Sequence, residues 1–203
     1  RLLEIGCGAG ENLAHLKQLG WQVMGIEPDP KAAAAARNRG LMVTEVILHD
    51  GLFAPESFDA IVMSHVIEHL KNPQEVTRIC HALLRPGGLL VMLTPNTDAL
   101  GHHWYRENWL HLDPPRHHNL FNATAIGRLA IGAGFMDYRS FTVVRDANWT
   151  LAGSRALRDA GHYQIGHLPL AARVLGMLLL FVEWLRMILD PSCGEEIVLI
   201  ARK

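Results

Sequence analysis

Short apolar runs alternate with helical segments through the first half of the chain, and this alternation constrains the fold more than any other feature. Glycine or proline follows most runs, as is typical of buried strands. The predicted strands are residues 2–5, 22–27, 42–48, 58–64 and 89–94. The predicted helices between them are residues 11–19, 31–39 and 73–84. Parallel strands need such crossover helices, so the pattern predicts an α/β fold with a doubly wound, mostly parallel sheet and helices on both faces.

The second half of the chain is less regular. Residues 95–122 are rich in His, Trp, Asn and Pro without a clear period. Long loops of compact domains usually carry function, and the aromatic residues here favour an ordered, packed loop. A helix over 123–132 and strands over 138–145 and 196–202 are predicted to follow. Residues 146–190 separate the last two strands, and we interpret them as a helical insertion.

Composition and charge exclude several classes of protein. The 203 residues are 49% hydrophobic and 19% charged, which is typical of one globular domain over 1–203 rather than of a disordered chain. Lys and Arg number 19 against 20 Asp and Glu, and this balance argues against a nucleic-acid partner. Three dispersed cysteines favour a reducing, cytoplasmic setting. The chain begins at Arg1 without a signal-peptide pattern, so we expect further residues upstream of it.

The most apolar segment is residues 168–190. A helix that spans a membrane needs about 20 predominantly apolar residues, and Arg173, Glu183 and Arg186 interrupt this one. We expect a buried helix or the interface of a homodimer. The alternative is a helix lying in a membrane surface, a peripheral contact that would place the protein on the inner face of the membrane.

Three glycines at alternate positions end the first predicted strand and precede the first helix. Gly6, Gly8 and Gly10 allow a tight turn and the close approach of a ligand to the backbone. A dinucleotide fingerprint requires its third glycine one position later, where this chain has Glu11. A carboxylate there disfavours a pyrophosphate, so the spacing favours a positively charged ligand without phosphates. A purely structural turn is the alternative.

Two acids follow the next strands. Glu27 ends the second predicted strand, where a carboxylate can accept two hydrogen bonds from a ribose diol. Asp50 follows the third strand and is a candidate acceptor for an adenine amino group. The alternatives are an ordinary surface position for Glu27 and a turn cap for Asp50.

Four successive motifs, LLEIGCGAG, GIEPDP, SFDAIVMSHVIEHL and LLRPGGLLVMLTPN, resemble those of class I S-adenosylmethionine-dependent methyltransferases. The resemblance covers about residues 1–145 and the closing strand. It implies a Rossmann-like seven-stranded sheet with an antiparallel last strand, S-adenosyl-L-methionine as cofactor, S-adenosyl-L-homocysteine as product, and a cap over the methyl acceptor formed by 146–190. The implied cofactor-binding residues are Glu4, Gly6, Cys7, Gly8, Gly10, Glu27, Pro28, His49, Asp50, Gly51, Ser64 and His65.

Further motifs narrow the resemblance. SHVIEHL, TPN and the later PPRHHNLF and IGAGF resemble the branch that contains the ubiquinone-biosynthesis O-methyltransferases. That branch implies methyl transfer to an oxygen, or a nitrogen, of a small-molecule acceptor of lipid or glycan type. The apolar segment 168–190 agrees with a hydrophobic acceptor or a membrane-surface location.

One set of residues after the fourth strand has the spacing of a metal site, but we do not expect it to bind a metal. His65, Glu68 and His69 follow the fourth strand at spacing i, i+3, i+4, and such a set can bind a divalent metal. The metal-binding enzymes that this site resembles use magnesium and have Glu where this chain has His65. Two imidazoles suit zinc or manganese better than magnesium. We expect a structural helix start instead, with Glu68 and His69 bonded to neighbouring loops.

Histidines are the candidates for proton transfer. Methyl transfer is an in-line displacement, so the protein must mainly hold the nucleophile on the axis of the methyl group. The proton of an acceptor hydroxyl or amine still needs a base, and histidine titrates near neutral pH. The candidate catalytic residues are His118, His65 and His117. Packing of the loop histidines against Trp104 or Trp109 is the alternative.

Three other functions are weighed against methyl transfer. An NAD- or nucleotide-sugar-binding oxidoreductase is disfavoured by the glycine spacing and by the absence of a Tyr-x-x-x-Lys pair from the sequence. A non-catalytic scaffold is disfavoured by the complete set of cofactor residues. A nucleic-acid methyltransferase is disfavoured by the net charge of −1 and by the TPN motif, which follows the fifth strand rather than the fourth.

Overall fold

A computed structural model of the chain describes residues 1–162 and 170–203. Its strands are β1 Leu2–Ile5, β2 Val23–Ile26, β3 Val43–Thr44, β4 Phe58–Ser64, β5 Leu84–Pro95, β6 Asp137–Val143 and β7 Glu196–Arg202. Within the described residues they form one seven-stranded sheet of order β3-β2-β1-β4-β5-β7-β6. Neighbouring strands are parallel except at β7, which is antiparallel to β5 and β6. The predicted doubly wound, mostly parallel sheet with an antiparallel last strand is confirmed.

Helices cover both faces of this sheet. They are α1 Glu11–Gln18, α2 Pro30–Asn38, α3 Pro73–Leu83, α4 Leu100–Tyr105, α5 Ala123–Gly132, α6 Ala147–Ala160 and α7 Leu170–Leu189. Short 3-10 turns lie at Ile67–His69, Arg106–Asn108 and Leu110–Leu112. α6 and α7 lie between β6 and β7, in the range 146–190 that we interpret as a helical insertion, and residues 163–169 of this range lie outside the described part of the chain.

The central strands are buried on both faces, which makes the sheet a rigid support. β1 is buried along its whole length. In β4 the successive residues Ile61 and Val62 belong to different core clusters, since side chains alternate between the faces. Phe58 and Phe135 contribute large side chains to one cluster, and Leu13 of α1 packs into the other.

Local sequence signals fix where α2 and α3 begin. The side chain of Asp29 accepts hydrogen bonds from the backbone nitrogens of Lys31 at 2.7 Å and Ala32 at 2.9 Å. The side chain of Asn72 accepts one from the nitrogen of Glu75 at 3.3 Å. Each cap precedes a proline at the first helical position, where the missing N–H costs no hydrogen bond. The loops before these helices are therefore held in place at the carboxyl ends of the strands.

Two strands differ in length from their predictions. Only Val43–Thr44 pairs as β3, although the apolar run predicts a strand over 42–48. β3 is an edge strand and has hydrogen bonds from β2 alone, and residues 46–48 leave the sheet to line a cavity. β5 begins at Leu84 rather than at residue 89 and is longer than predicted.

The predicted ordered loop after β5 is confirmed. It contains α4 and two of the 3-10 turns within residues 100–112. Trp109 is 1% exposed and belongs with Tyr105 to a small core that also includes Leu151 of α6. Burial of these aromatic side chains fixes the loop against the helical insertion.

Of the alternatives predicted for the most apolar segment, the structure contradicts one, the buried helix. Residues 168 and 169 lie outside the described residues. Within α7 only Gly176 and Glu183 are buried, and the expectation of a buried core helix is wrong because most of its apolar side chains face solvent. No helix in the described ranges 1–162 and 170–203 is long and apolar enough to cross a membrane.

Candidate active site

The glycine turn after β1 adopts the backbone that its sequence predicts. Gly6, Gly8 and Gly10 have φ values of 67°, 54° and 81°, in the left-handed region. A Cβ on Gly10 would lie 2.5 Å from Leu41 Cδ1 and 2.9 Å from Ala36 Cβ, so the turn is tightly packed on its inner side. A Cβ on Gly8 would meet nothing within 4 Å, which leaves the outer side open to a ligand.

Glu27 directly follows β2 and holds the glycine turn. Its Oε2 accepts a hydrogen bond from the nitrogen of Gly8 at 2.8 Å, and its Oε1 accepts one from the nitrogen of Asp29 at 2.9 Å. The residue is 9% exposed, which is unlike an ordinary surface position. Each carboxylate oxygen keeps a further lone pair, so Glu27 can hold the turn and also accept hydrogen bonds from a ligand diol.

Glu4 lies in β1 just before the turn. Burial raises the pKa of Glu4 to about 6, against a smaller lowering by the hydrogen bond from Asn12. Asn12 Nδ2 donates to Oε1 at 2.6 Å, whereas Oε2 is buried and has no hydrogen-bond partner among the described residues. A buried polar atom without a partner is unfavourable, and a cationic group of a ligand would satisfy it.

A cavity of about 360 Å³ lies at the carboxyl ends of β1, β2 and β4, where ligands bind to doubly wound sheets. Four of the predicted cofactor-binding residues line it, namely Gly6, Glu27, Pro28 and His65. Residues 46–48, the last residues of β1 and β2, and residues after β4 that include His69 form the remaining wall. The structure thus brings these four predicted residues together around one space.

Other predicted cofactor-binding residues lie beside this cavity or away from it. Residues 49–51 form an exposed turn in which Asp50 Oδ1 accepts a hydrogen bond from the Gly51 nitrogen at 3.0 Å, as the turn-cap alternative describes. Ser64 ends β4 but lines a separate cavity on the other face of the sheet, because side chains alternate along a strand. Burial raises the pKa of the Cys7 thiol to about 12, so this cysteine is a packing residue.

His65 follows β4 and lies between two buried acids. Its φ is 53°, an uncommon value for a non-glycine residue. Its Nε2 lies 2.9 Å from Glu196 Oε1, and its Nδ1 lies 3.3 Å from Glu68 Oε1. Burial opposes the positive charge, but the hydrogen bonds to Glu196 and Glu68 outweigh it and raise the pKa of His65 to about 9. Since an imidazolium has no lone pair, this geometry does not support the predicted role of His65 as a base.

A second cavity of about 630 Å³ meets the first at His65, which lines both. Its other walls come from the loop after β5 and from α6. Trp109, Leu112 and Leu157 make part of the lining apolar, and Arg116 adds a charged group. The two cavities are therefore neighbours across a single charged side chain.

Two of the loop histidines, His111 and His117, line this second cavity. His117 lines it, and its Nδ1 lies 2.6 Å from the carbonyl oxygen of His111. His118 is exposed and does not line it; its backbone nitrogen donates to the carbonyl oxygen of Glu68 at 2.8 Å. Of the predicted bases, His65 and His117 line this cavity and His118 does not, which favours His117 over His118.

His111 is a lining residue that has no informative spacing in the sequence. Burial lowers the pKa of His111 to about 4, with a further lowering by the nearby charge of His65. Its Nε2 lies 3.0 Å from Thr150 Oγ1 of α6, and its ring centroid lies 6.3 Å from that of His65. The partner residue is 39 positions away along the chain. Only tertiary structure therefore identifies His111.

The residues present fit a divalent metal, although the set differs from the predicted one. One ligand atom from each of Glu68, His69 and His117 lies within 4.8 Å of the others. His69 Nδ1 lies 3.0 Å from the carbonyl oxygen of Arg116, so both histidines bond a backbone carbonyl through Nδ1 and leave Nε2 for a metal. His65 is not in this set, because its nitrogens face carboxylates. Two imidazoles and one carboxylate suit zinc or manganese better than magnesium.

The structural interpretation of the same residues also agrees with the geometry. Glu68 Oε2 accepts a hydrogen bond from Thr94 Oγ1 at 3.1 Å. The carbonyl oxygen of Glu68 accepts from the nitrogens of His118 at 2.8 Å and Asn119 at 3.0 Å. Glu68 and His69 thus connect the end of β4 to the loop after β5, as expected for a structural helix start.

Fold and site together define a class of protein. A glycine turn after β1, a buried acid after β2 and a cavity at the strand ends occur in a sheet of order β3-β2-β1-β4-β5-β7-β6. With the antiparallel β7, this combination is that of Rossmann-like methyltransferases. Residues 1–139 match the family model described as a methyltransferase domain, and the chain belongs to this family.

Curated relatives match the first part of the chain. A ubiquinone biosynthesis O-methyltransferase of Caulobacter sp. (strain K31) is 35% identical over 106 residues, which are 47% of this chain and 41% of that protein. The protein of the same name from Cereibacter sphaeroides is 35% identical over 104 residues, which are 48% of this chain and 42% of that protein. The match thus spans less than half the length of these relatives.

Solved structures with the same fold cover the whole chain. A SAM-dependent methyltransferase from Thermotoga maritima has a TM-score of 0.67 at 18% identity, covering 100% of this chain and 82% of that one. Phosphoethanolamine N-methyltransferase 2 of Haemonchus contortus, solved in complex with S-adenosyl-L-methionine, has a TM-score of 0.63 at 20% identity, covering 100% and 48%. At these identities the similarity shows the fold.

Proposed function

We propose that the protein transfers the methyl group of S-adenosyl-L-methionine to an oxygen, or a nitrogen, of a small-molecule acceptor with an apolar part. The observation that carries this proposal is the meeting of two cavities at His65. The smaller cavity takes the cofactor and the larger one takes the acceptor. Because the two cavities adjoin at one residue, the methyl group of the cofactor and the nucleophilic atom of the acceptor can lie next to each other in line. This alignment is the main requirement of the reaction.

The cofactor is held by the acids around the glycine turn. Glu27 accepts the ribose hydroxyls with its remaining lone pairs. The unpartnered Oε2 of Glu4 accepts the ammonium of the methionine part. Gly8 leaves space for the ligand to lie against the turn. These groups suit a cationic ligand, and they supply nothing for a pyrophosphate, which disfavours the oxidoreductase alternative.

The acceptor lies in the larger cavity under the helical insertion. Trp109, Leu112 and Leu157 pack against its apolar part. Its nucleophilic atom lies near His65, where the two cavities meet. α6 contributes Leu157 to one wall of this space, which supports a role for this helix in the acceptor cap. This lining favours an aromatic or lipid-type acceptor over a fully polar one.

The proton of the acceptor passes to His117. Its Nδ1 donates to the carbonyl oxygen of His111, which leaves the Nε2 lone pair as the proton acceptor. Both ring nitrogens of His65 face the carboxylates of Glu68 and Glu196, so His65 has no free lone pair and does not take this proton. A divalent cation held by Glu68, His69 and His117 is the alternative to this role of His117, because its Nε2 would then be a metal ligand. The cation would supply a Lewis acid that lowers the pKa of an acceptor hydroxyl.

Calorimetry with S-adenosyl-L-homocysteine and with NAD tests the proposal. We expect saturable heat with the first compound and none with the second. Heat with NAD alone would instead support the oxidoreductase, and heat with neither would support a non-catalytic scaffold. With S-adenosyl-L-homocysteine binding established, a tritiated methyl donor and a panel of hydroxylated lipids and phenols would identify the acceptor class.

A further inference from the structure

α7 presents an apolar face that the rest of the described chain does not cover. Ten of its side chains are large, apolar and at least 43% exposed: Leu170, Val174, Met177, Leu178, Phe181, Val182, Trp184, Leu185, Ile188 and Leu189. A contiguous apolar patch on this scale normally marks an interaction surface. The face is one side of a 20-residue helix, so it is about 30 Å long.

The orientation of this face is fixed by the opposite side of the helix. A Cβ on Gly176 would overlap the carbonyl oxygen of Asn148 and lie 3.0 Å from Ala152 Cβ, so α7 lies in close contact with α6. Glu183 is buried seven residues further along the same side. Leu179 and Leu180 pack against the core of the insertion. α7 is therefore seated on the protein by its inner side, and the apolar face points outward.

The charged residues around the apolar face of α7 indicate what kind of partner it binds. At about 100° per residue, the exposed apolar side chains are centred between Phe181 and Leu185 on the helix circumference. Arg173 and Arg186 lie roughly 100° and 120° to either side of that centre, at the edges of the face. The one acidic residue of α7, Glu183, is buried on the inner side. The outer side of α7 is thus apolar in the middle and basic at both edges.

Aromatic residues reinforce this arrangement. Trp184 is 52% exposed on the face, and its ring stacks with Phe181 at a centroid distance of 6.1 Å. The guanidinium of Arg173 lies 5.8 Å from the ring centroid of Trp149, which is half-exposed on α6. Tryptophan and arginine with apolar stems are the residues that lie best at the boundary between lipid headgroups and acyl chains.

We infer that α7 lies in the surface of an anionic membrane, with its apolar face in the acyl boundary and Arg173 and Arg186 at the lipid phosphates. A second copy of the chain fits this face less well, because two α7 helices would bring arginines together without an exposed acid within either helix. The nearest acid, Asp190, directly follows α7 beside Arg186 of the same chain and leaves Arg173 at the other edge without one. Anionic lipid supplies the negative charge that the arginines need.

The membrane position also explains where an acceptor would enter, and this step rests on the proposed function. α6 lies between α7 and the larger cavity: Ala152 faces Gly176 of α7, and Leu157 lines the cavity. Ser154 of the same helix accepts a hydrogen bond from the nitrogen of Leu110 in the cavity wall at 2.9 Å. An acceptor held in the bilayer therefore needs to pass only one helix to reach the site.

Vesicle flotation tests the inference on the full chain. We expect the protein to float with vesicles of phosphatidylcholine and phosphatidylglycerol, and at least about tenfold less with phosphatidylcholine alone, since each arginine contributes at the anionic surface. Arg173→Gln with Arg186→Gln should lower binding to the anionic vesicles about tenfold. Arg78→Gln with Arg128→Gln, which removes two exposed arginines elsewhere, should leave it unchanged.

A second variant set tests the apolar face. Leu178→Ser, Phe181→Ser and Leu185→Ser together should abolish flotation with both kinds of vesicle. The matched control carries Leu19→Ser, Ile131→Ser and Met136→Ser, three exposed apolar positions outside α7, and should float like the unmodified protein. Calorimetry with S-adenosyl-L-homocysteine, unchanged in both variants, verifies that each is folded.

The outcomes separate this inference from the proposed function. Intact S-adenosyl-L-homocysteine binding without flotation would overturn the membrane position and leave the methyltransferase proposal standing. Flotation without S-adenosyl-L-homocysteine binding would support the membrane position and overturn the methyltransferase proposal. A dimer in light scattering that the α7 triple variant dissociates, with no flotation, would assign the face to a second copy and overturn the inference.

Discussion

At the scale of single residues, the site depends on buried acids that each have a defined cation or donor. Glu27 receives two backbone N–H groups, and Glu68 and Glu196 share the imidazole of His65. Glu4 receives only one donor and keeps a free buried oxygen. Glu196 Oε2 is likewise buried without a partner among the described residues, so it is the position of Glu4 next to the glycine turn, and not the free oxygen alone, that favours a role in ligand binding.

Replacing Glu27 tests the cofactor site directly. Glu27→Gln should weaken S-adenosyl-L-homocysteine binding by about tenfold to a hundredfold, because hydrogen bonds to a charged group contribute about 1.5–3 kcal/mol. Titration calorimetry measures the change. Glu11→Gln, an exposed acid at the start of α1, is the control and should bind normally. Unchanged affinity in Glu27→Gln would remove this residue from the ribose site.

The charge of His65 predicts a pH dependence of stability. Its pKa rises from 6.5 to about 9 in the folded protein, so its contribution is complete below pH 6.5 and is lost as the pH rises through 9. His65→Gln should lower the free energy of unfolding by about 2 kcal/mol at pH 6.5, since Glu68 and Glu196 lose their partner. The difference between the free energies of unfolding of the two proteins, measured with urea, should become smaller towards pH 9 and above.

Comparing the unmodified protein with His65→Gln separates the effect of His65 from the effects of the buried acids. Burial raises the pKa of Glu183 to about 8 and that of Glu195 to about 7, so both also reduce the stability of the folded protein as the pH rises. Both acids are present in both proteins, so their contributions cancel in the difference between the two free energies of unfolding. A difference that stays constant from pH 6 to pH 10 would show that His65 is not charged in the fold.

At the scale of elements, the contact of α6 with α7 carries the insertion. Gly176→Val should destabilise the protein by about 1–3 kcal/mol, because the added side chain has no room against Asn148 and Ala152. Urea unfolding monitored by tryptophan fluorescence measures this change. Met177→Ala, at the exposed neighbouring position, should stay within about 0.5 kcal/mol of the unmodified protein. Equal stability in Gly176→Val would mean that α7 is not seated on α6 as described.

At the scale of the whole molecule, ligand binding should stabilise one cooperative domain. S-adenosyl-L-homocysteine at about 100 times its Kd should add about 2.7 kcal/mol. For a domain of this size, that corresponds to a rise in Tm of roughly 5–10 °C in a thermal-shift assay. NAD at the same concentration should produce no shift. A rise with both compounds would point to non-specific stabilisation and contradict the assigned cavity.

The sequence predicts those parts of the fold that depend on local pattern. The strand over 58–64 and the helix over 123–132 agree with β4 and α5 at both ends, because the period of apolar residues and the capping residues are local properties. β3 is shorter than its apolar run, since hydrogen bonding at a sheet edge depends on which strands are neighbours. The exposure of α7 is likewise a matter of packing, which hydropathy alone does not reveal.

The candidate site also has features that the sequence predicts and features that only the folded chain shows. The glycine spacing and Glu27 already indicate a phosphate-free ligand, because the conformations open to glycine and the charge of a carboxylate are properties of the residues themselves. The pairing of His65 with Glu196, 131 positions away, and of His111 with Thr150 exists only after the chain has folded. Those contacts decide which imidazole is charged and which is neutral, since the ionisation of a buried group is set by the groups that folding places around it.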